Sequence, residues 1–189
     1  MSIAAVVLAA GAATRYGAPK QRELLPAVLE RLNASPVAEI LVVEGAYELE
    51  LPSDTLSHGI PVRLVPCDEW GRGPGASLRC GLRVLGPDVE AAVVVLADGP
   101  NLSPLAVERV LREWRSIGGV VAASYGAARG HPLVLPRELW DDVPEEGLHR
   151  RPARLVPCDD LGAPGDVDRP EDLRKIGIRS RRFPSRENP

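Results

Sequence analysis

No apolar run in this chain of 189 residues approaches the roughly 18 residues that a membrane-spanning helix needs. The opening MSIAAVVLAAGAATR lacks the basic start and the cleavage pattern of a secretory leader. A cytoplasmic protein with no membrane partner is therefore expected. Charge of one sign is not in excess: 23 basic against 26 acidic residues give a formal net charge of -3. No global field recruits nucleic acid, and any anion must be held locally. Cysteine is scarce. Cys67, Cys80 and Cys158 are an odd number without CxxC spacing, which does not read as a disulfide framework in a chain large enough to hold a core without one. The histidines His58, His131 and His149 fall in unrelated segments, which excludes a metal triad. Two phosphate-binding patterns are missing as well. GxxxxGK[ST] does not fit, because Gly11 and Lys20 stand too far apart and Gln21 replaces the hydroxyl residue, and the dinucleotide pattern GxGxxG is absent.

What the chain does have is a 44% share of hydrophobic residues, enough for one sizeable core. Apolar runs at Ile3–Leu8, Glu39–Val43, Val62–Val65, Ala91–Ala97, Val120–Ser124, Leu133–Leu135 and Arg154–Val156 read as strands. Helical patterns fall at Glu23–Asn33, Gly75–Leu85, Pro104–Ile117 and Pro170–Ile176. This alternation predicts βαβ units and a three-layer, Rossmann-like α/β fold around a mostly parallel sheet. VVVLAD, apolar on both faces, reads as a central parallel strand. The ligand site is expected at the carboxyl ends of the strands. The hexapeptide RLVPCD occurs at 63–68 and again at 154–159 and reads as two similar strand ends, with a shared metal site as the alternative. Residues 1–178 are expected to form the domain, and the basic segment 179–189 a disordered tail.

Four segments carry candidate chemistry. VVLAAGAATRYGAPKQ, residues 6–21, follows the first strand with small residues that let backbone N–H groups approach a phosphate, and offers the cations Arg15 and Lys20. A tight turn with a solvated lysine is the other reading of this stretch. Asp98 ends the central strand, where its carboxylate can supply a hard oxygen ligand. In GDVDRPEDL, an extended backbone puts Asp166 and Asp168 on one face. GRGPGASLRCGL brings three glycines and Ser77 to a helix start, whose positive end favours an anion.

These segments, taken in chain order, resemble the MobA-like nucleotidyltransferases, and in particular the molybdenum-cofactor cytidylyltransferases. LAAGAATRYGAPK is similar to LAAGxSxRMGxxK, and DEWGRGPGASLRCGL to the stretch that ends in SLRAGL. LADGPNLSP is similar to GDxPxLTP, and GHPLVLPRELW with DVDRPEDL to GHPxxF and D(V/I)DTPEDL. The resemblance implies a nucleotidyltransferase fold, Mg²⁺ as cofactor and release of pyrophosphate. Its substrates would be a nucleoside triphosphate, with CTP favoured by the alanine in LAAG, and a small phosphate monoester of molybdopterin type. A molybdoenzyme or cofactor-insertion protein is the implied partner. It assigns Asp98, Asp168 and secondarily Asp166 to the metal, and Arg15 and Lys20 to the triphosphate. Leu8, Ala9, Ala10 and Gly11 would lie against the nucleotide, with Asp68, Gly73, Gly75 and Ser77 on a second nucleotide-facing loop. His131 would contact the acceptor.

The chain also departs from the pattern. KQRELLPAVLERL enters a helix where relatives first run through a leucine-rich strand, and EEGLHR stands where they carry GDxGAR and a longer helix. Arg169 replaces the usual threonine at a helix cap, which removes a capping acceptor and about 1 kcal/mol. A guanylyltransferase for another phosphorylated acceptor and a catalytically inactive nucleotide-binding relative therefore stay open.

Overall fold

Strand β1, Ser2–Leu8, is apolar on both faces: Ile3, Ala5 and Val7 pack into one cluster and Ala4 and Val6 into another. The computed structural model describes residues 1–14, 16, 19–51 and 59–165. After β1 come α1 (Lys20–Asn33), β2 (Glu39–Glu44), β3 (Val62–Pro66), α2 (Pro74–Arg83) and β4 (Val89–Leu96). They are followed by α3 (Pro104–Ile117), β5 (Val121–Tyr125), β6 (Ala128–Pro136) and β7 (Arg154–Pro157). The expected helix at 170–176 and the tail at 179–189 lie outside the described residues.

One sheet contains the seven described strands in the order β3-β2-β1-β4-β6-β5-β7. Leu25, Val28, Leu29 and Leu32 of α1 and Ala106, Val107, Val110 and Leu111 of α3 fill one side. Leu78 and Leu82 of α2, with Trp140 and Val143, fill the other. Burial on both faces makes β1 and β4 continuous apolar runs, as the sequence suggests. The chain leaves β1 for β2 and β3 on one side and returns to β4 on the other. A crevice therefore opens at the carboxyl ends of β1 and β4, where α/β sheets place ligands.

Two departures from the expected arrangement have local causes. Helix α1 starts at Lys20 rather than Glu23, and it holds Pro26 in its interior. Pro26 is exposed, so the Arg22 carbonyl that loses its helical donor is left near solvent rather than in the core. Strand β6 runs antiparallel to both β4 and β5. A tight turn at Gly126, with φ 60°, sends the chain directly back from β5, with no crossover helix between the two strands.

The repeated RLVPCD segments form β3 and β7, on opposite edges of the sheet. Each ends in a proline, Pro66 or Pro157, tolerated because an edge strand need not donate on both sides. A buried cysteine follows, and the two sites are too far apart across the sheet to share a metal. Cys67 is instead joined to Cys80 in a disulfide, with Cα atoms 5.8 Å apart, which corrects the expectation of unpaired thiols. The short connection from β3 brings α2 back over the strand end, so cysteines 13 residues apart meet without a recognisable spacing. Cys158 stays free and buried.

The bridge closes a loop whose constraint on the unfolded chain is worth about 3 kcal/mol. Cys80→Ala is expected to lower the unfolding free energy in urea by about that amount. An unchanged urea midpoint would show that the bridge does not hold β3 to α2.

Candidate functional site

Beyond Leu8 the chain turns through residues 9–14, and each backbone polar group there needs a partner. Four successive carbonyls are taken by the protein. Ala10 O accepts from the Ala46 N–H at 3.0 Å and Ala13 O from the Tyr16 N–H at 2.9 Å. Gly11 O accepts from Gln21 Nε2 at 2.7 Å, and Ala12 O from the Tyr47 hydroxyl at 3.0 Å. The N–H groups of residues 10–14 donate to no described residue. Such a run of consecutive unpaired N–H groups is the backbone arrangement that binds phosphate. Ala13 sits at φ 46°, a conformation that costs an alanine about 1–2 kcal/mol and is held by these bonds.

Lys20 opens α1 and is only 7% exposed. Its Nζ donates to Asp98 Oδ2 at 2.9 Å. A cation in the first helical turn opposes the helix dipole by about 0.3–1 kcal/mol, and the Asp98 carboxylate offsets this. Asp98 lies just past β4, and the N–H of its neighbour Ala97 is bonded to Leu8 O at 3.1 Å. The ion pair thus ties the start of α1 to the crevice between β1 and β4. An anion brought there is near the helix start and an ammonium.

Asp98 also suits a divalent cation, because Mg²⁺ takes hard oxygen donors and commonly uses one or two carboxylates plus phosphate oxygens and water. Among the described residues no group of three or more His, Cys, Asp or Glu converges. The remaining ligands would be phosphate, water or residues outside the described set.

The α2 side of the crevice is packed against residues 144–147. A Cβ on Gly75 would lie 1.7 Å from Pro144 O, and one on Gly73 2.4 Å from Glu145 O. Protein packing by itself demands both glycines. The Gly75 N–H bonds Glu145 O at 2.9 Å. Ser77 is buried in the first turn of α2 and is not its cap, which is Gly73. Asp68 is exposed on the connection from β3.

Two cavities adjoin the strand ends. One, of about 290 Å³, has aliphatic walls from Leu8, Leu78, Val94, Leu96, Leu133 and Leu148. The other, of about 370 Å³, includes Val95, Gly99, Leu102 and Pro164. Arg129, Gly130 and His131, on β6, line both. Burial pushes the His131 pKa down to about 4, with the Asp98 charge pulling it back and the Arg129 charge adding to the fall. At neutral pH the crevice therefore presents an uncharged imidazole within electrostatic reach of Asp98.

A family model described as the MobA-like NTP transferase domain matches residues 5–157, from within β1 to the end of β7. The chain belongs to this family. Over 132 residues this MobA-like protein is 36% identical to the 2-C-methyl-D-erythritol 4-phosphate cytidylyltransferase of Stenotrophomonas maltophilia strain K279a, a match covering 62% of this chain and 56% of that protein. It thus spans about half the length of this curated relative. The crystal structure of Rv0371c from Mycobacterium tuberculosis H37Rv is similar with a TM-score of 0.75 and 26% identity, over 93% of this chain and 98% of that one. The Rv0371c complex with manganese has the same fold, with a TM-score of 0.69 and 24% identity, over 93% and 98%.

In this MobA-like chain, Leu8, Ala9, Ala10, Gly11, Lys20, Asp98 and His131 come together at the strand ends. Arg15, Asp166 and Asp168 lie outside the described residues. Sequence reading missed Gln21, Tyr47 and Arg129. Gln21 and Tyr47 act by holding loop carbonyls, which no residue pattern announces. Arg129 stood beside the GHP segment, and its cation next to that motif was the available signal.

A histidine neutral in the folded state but protonated below about 6.5 in the unfolded chain gives the unfolded state more bound protons between pH 6.5 and 4. Stability is expected to fall by up to about 3 kcal/mol as pH drops through that window, then to level off below pH 4. Urea unfolding of His131→Gln should lack this slope. A slope identical to that of the parent protein would place the imidazole in water.

Proposed function

We propose that the protein transfers a nucleotidyl group from a nucleoside triphosphate, with CTP the first candidate, to a small phosphate monoester and releases pyrophosphate. The observation that carries this reading is the loop 10–14, whose carbonyls at residues 10–13 are held and whose N–H groups donate to no described residue, next to Lys20 and Asp98. Family membership supports it. Transfer of this kind needs positioning and charge neutralisation rather than a protein nucleophile. The loop N–H groups would hold the phosphates, and the Lys20 ammonium, already at the helix start, would turn from Asp98 toward the leaving pyrophosphate. Asp98, with Asp166 and Asp168 as further candidates, would hold Mg²⁺, which when bound offsets phosphate charge. His131 would face the acceptor as a neutral hydrogen-bonding group.

A molybdopterin-type acceptor is favoured by the six aliphatic side chains that wall the smaller cavity, which suit a flat ring system better than an open-chain polyol. The similarity to a 2-C-methyl-D-erythritol 4-phosphate cytidylyltransferase favours the polyol phosphate as a second reading. Pyrophosphate release with each acceptor, and with CTP against GTP, separates these readings.

Asp98→Ala and Lys20→Ala are each expected to lower pyrophosphate release by about 100- to 1,000-fold. Calorimetric titration should also show CTP binding that weakens when Mg²⁺ is withheld. Full turnover by Asp98→Ala, or no metal-dependent binding of any nucleoside triphosphate, would remove the proposal.

A further inference from the structure

Arg129 has a charge balance that the nucleotide half of the site does not explain. It sits in β6, paired in register opposite Ser124 of β5, and is partly buried. Its Nη1 donates to the Arg151 carbonyl, which fixes the plane of the guanidinium. Its Nη2 is buried and has no hydrogen-bond partner among the described residues, and no described carboxylate forms an ion pair with it. Among the described residues lining the two cavities, the carboxylate is Glu146, which is exposed and forms no ion pair with a described residue; Tyr125, His131 and His149 are the other titratable groups there. Burial lowers the Arg129 pKa, the direction expected of a cation taken from water without a counter-charge. A desolvated donor left unpaired is costly. Arg129 lines both cavities, and a guanidinium with one nitrogen anchored and another without a partner can take a phosphate with paired hydrogen bonds.

We propose that Arg129 binds the phosphate of the acceptor, holding it on the His131 side of the crevice and setting the preference for a phosphate monoester over an uncharged alcohol. This rests on the transferase reading above, and it adds a residue to the acceptor side. The strand placement matters. Because β6 is antiparallel to β4, its first residues stand at the carboxyl end of β4, so Arg129 and Asp98 reach the crevice from neighbouring strands. Gly130 adds no side chain between Arg129 and His131, and the Tyr125 hydroxyl, bonded to His131 O at 3.1 Å, fixes the backbone there.

The test is calorimetric titration of inorganic phosphate into the full chain presaturated with CTP and Mg²⁺, so that the triphosphate loop is filled, together with separate CTP titrations. Arg129→Gln keeps a polar amide and loses the charge. Arg129→Lys keeps the charge and loses the fork. At least a tenfold loss of phosphate affinity in Arg129→Gln, a smaller loss in Arg129→Lys and CTP affinity within twofold of the parent are expected. Equal phosphate affinity in all three proteins would overturn the proposal, as would a loss confined to CTP, which would assign Arg129 to the nucleotide. If the parent binds no CTP, the transferase reading fails separately. The phosphate titrations are then run without nucleotide and still read Arg129.

Discussion

The carbonyls of residues 10–13 must be satisfied within the protein, and the donors that satisfy them organise the site. Gln21 comes from α1, Tyr47 and Ala46 from the segment after β2, and Tyr16 from the loop itself. Each draws one carbonyl toward the fold and leaves the alternate backbone group for a ligand. The same donors support Ala13 in a left-handed conformation that an isolated alanine avoids. Lys20, adjacent to Gln21 in the first turn of α1, adds the ion pair with Asp98 that joins this loop to the central strand. One helix start therefore fixes the loop backbone and places a cation beside it.

The sheet gives this arrangement two sides. Parallel β1 and β4 lead into residues 9–14 and Asp98 at their carboxyl ends, while antiparallel β6 delivers the start of a strand, Arg129 to His131, to the same edge. A further parallel strand would have brought its end there instead. Mixing directions lets residues from the start of one strand meet residues from the ends of two others. The segment 144–149 then forms the outer wall, and its backbone lies so close to α2 that Gly73 and Gly75 admit no side chain.

Much of this was legible in the residues, for reasons of period and composition. Strands buried on both faces are continuous apolar runs, so β1 and β4 could be placed, and an aspartate ending such a run fell at the crevice. The amphipathic helices α1 and α3 showed their period directly. The direction of β6 was hidden, because a short apolar run reads alike in either direction and the tight turn at Gly126 leaves little signal. The Cys67–Cys80 bridge depends on where α2 returns over β3, a tertiary fact. Glycines in GRGPGASLRCGL suggested room for a ligand, yet the nearest obstacle to a side chain at two of them is the protein's own backbone. Arg129 became notable only when its missing counter-charge could be seen.

On the proposed function, the backbone N–H groups of residues 10–14, which donate to no described residue, are left by the fold to receive phosphate. Amide hydrogen exchange of these residues, followed with and without CTP and Mg²⁺, tests it most directly. Fast exchange in the free protein and clear slowing at residues 10–14 on addition of nucleotide are expected. Nucleotide binding that leaves the exchange of these amides unchanged would contradict it.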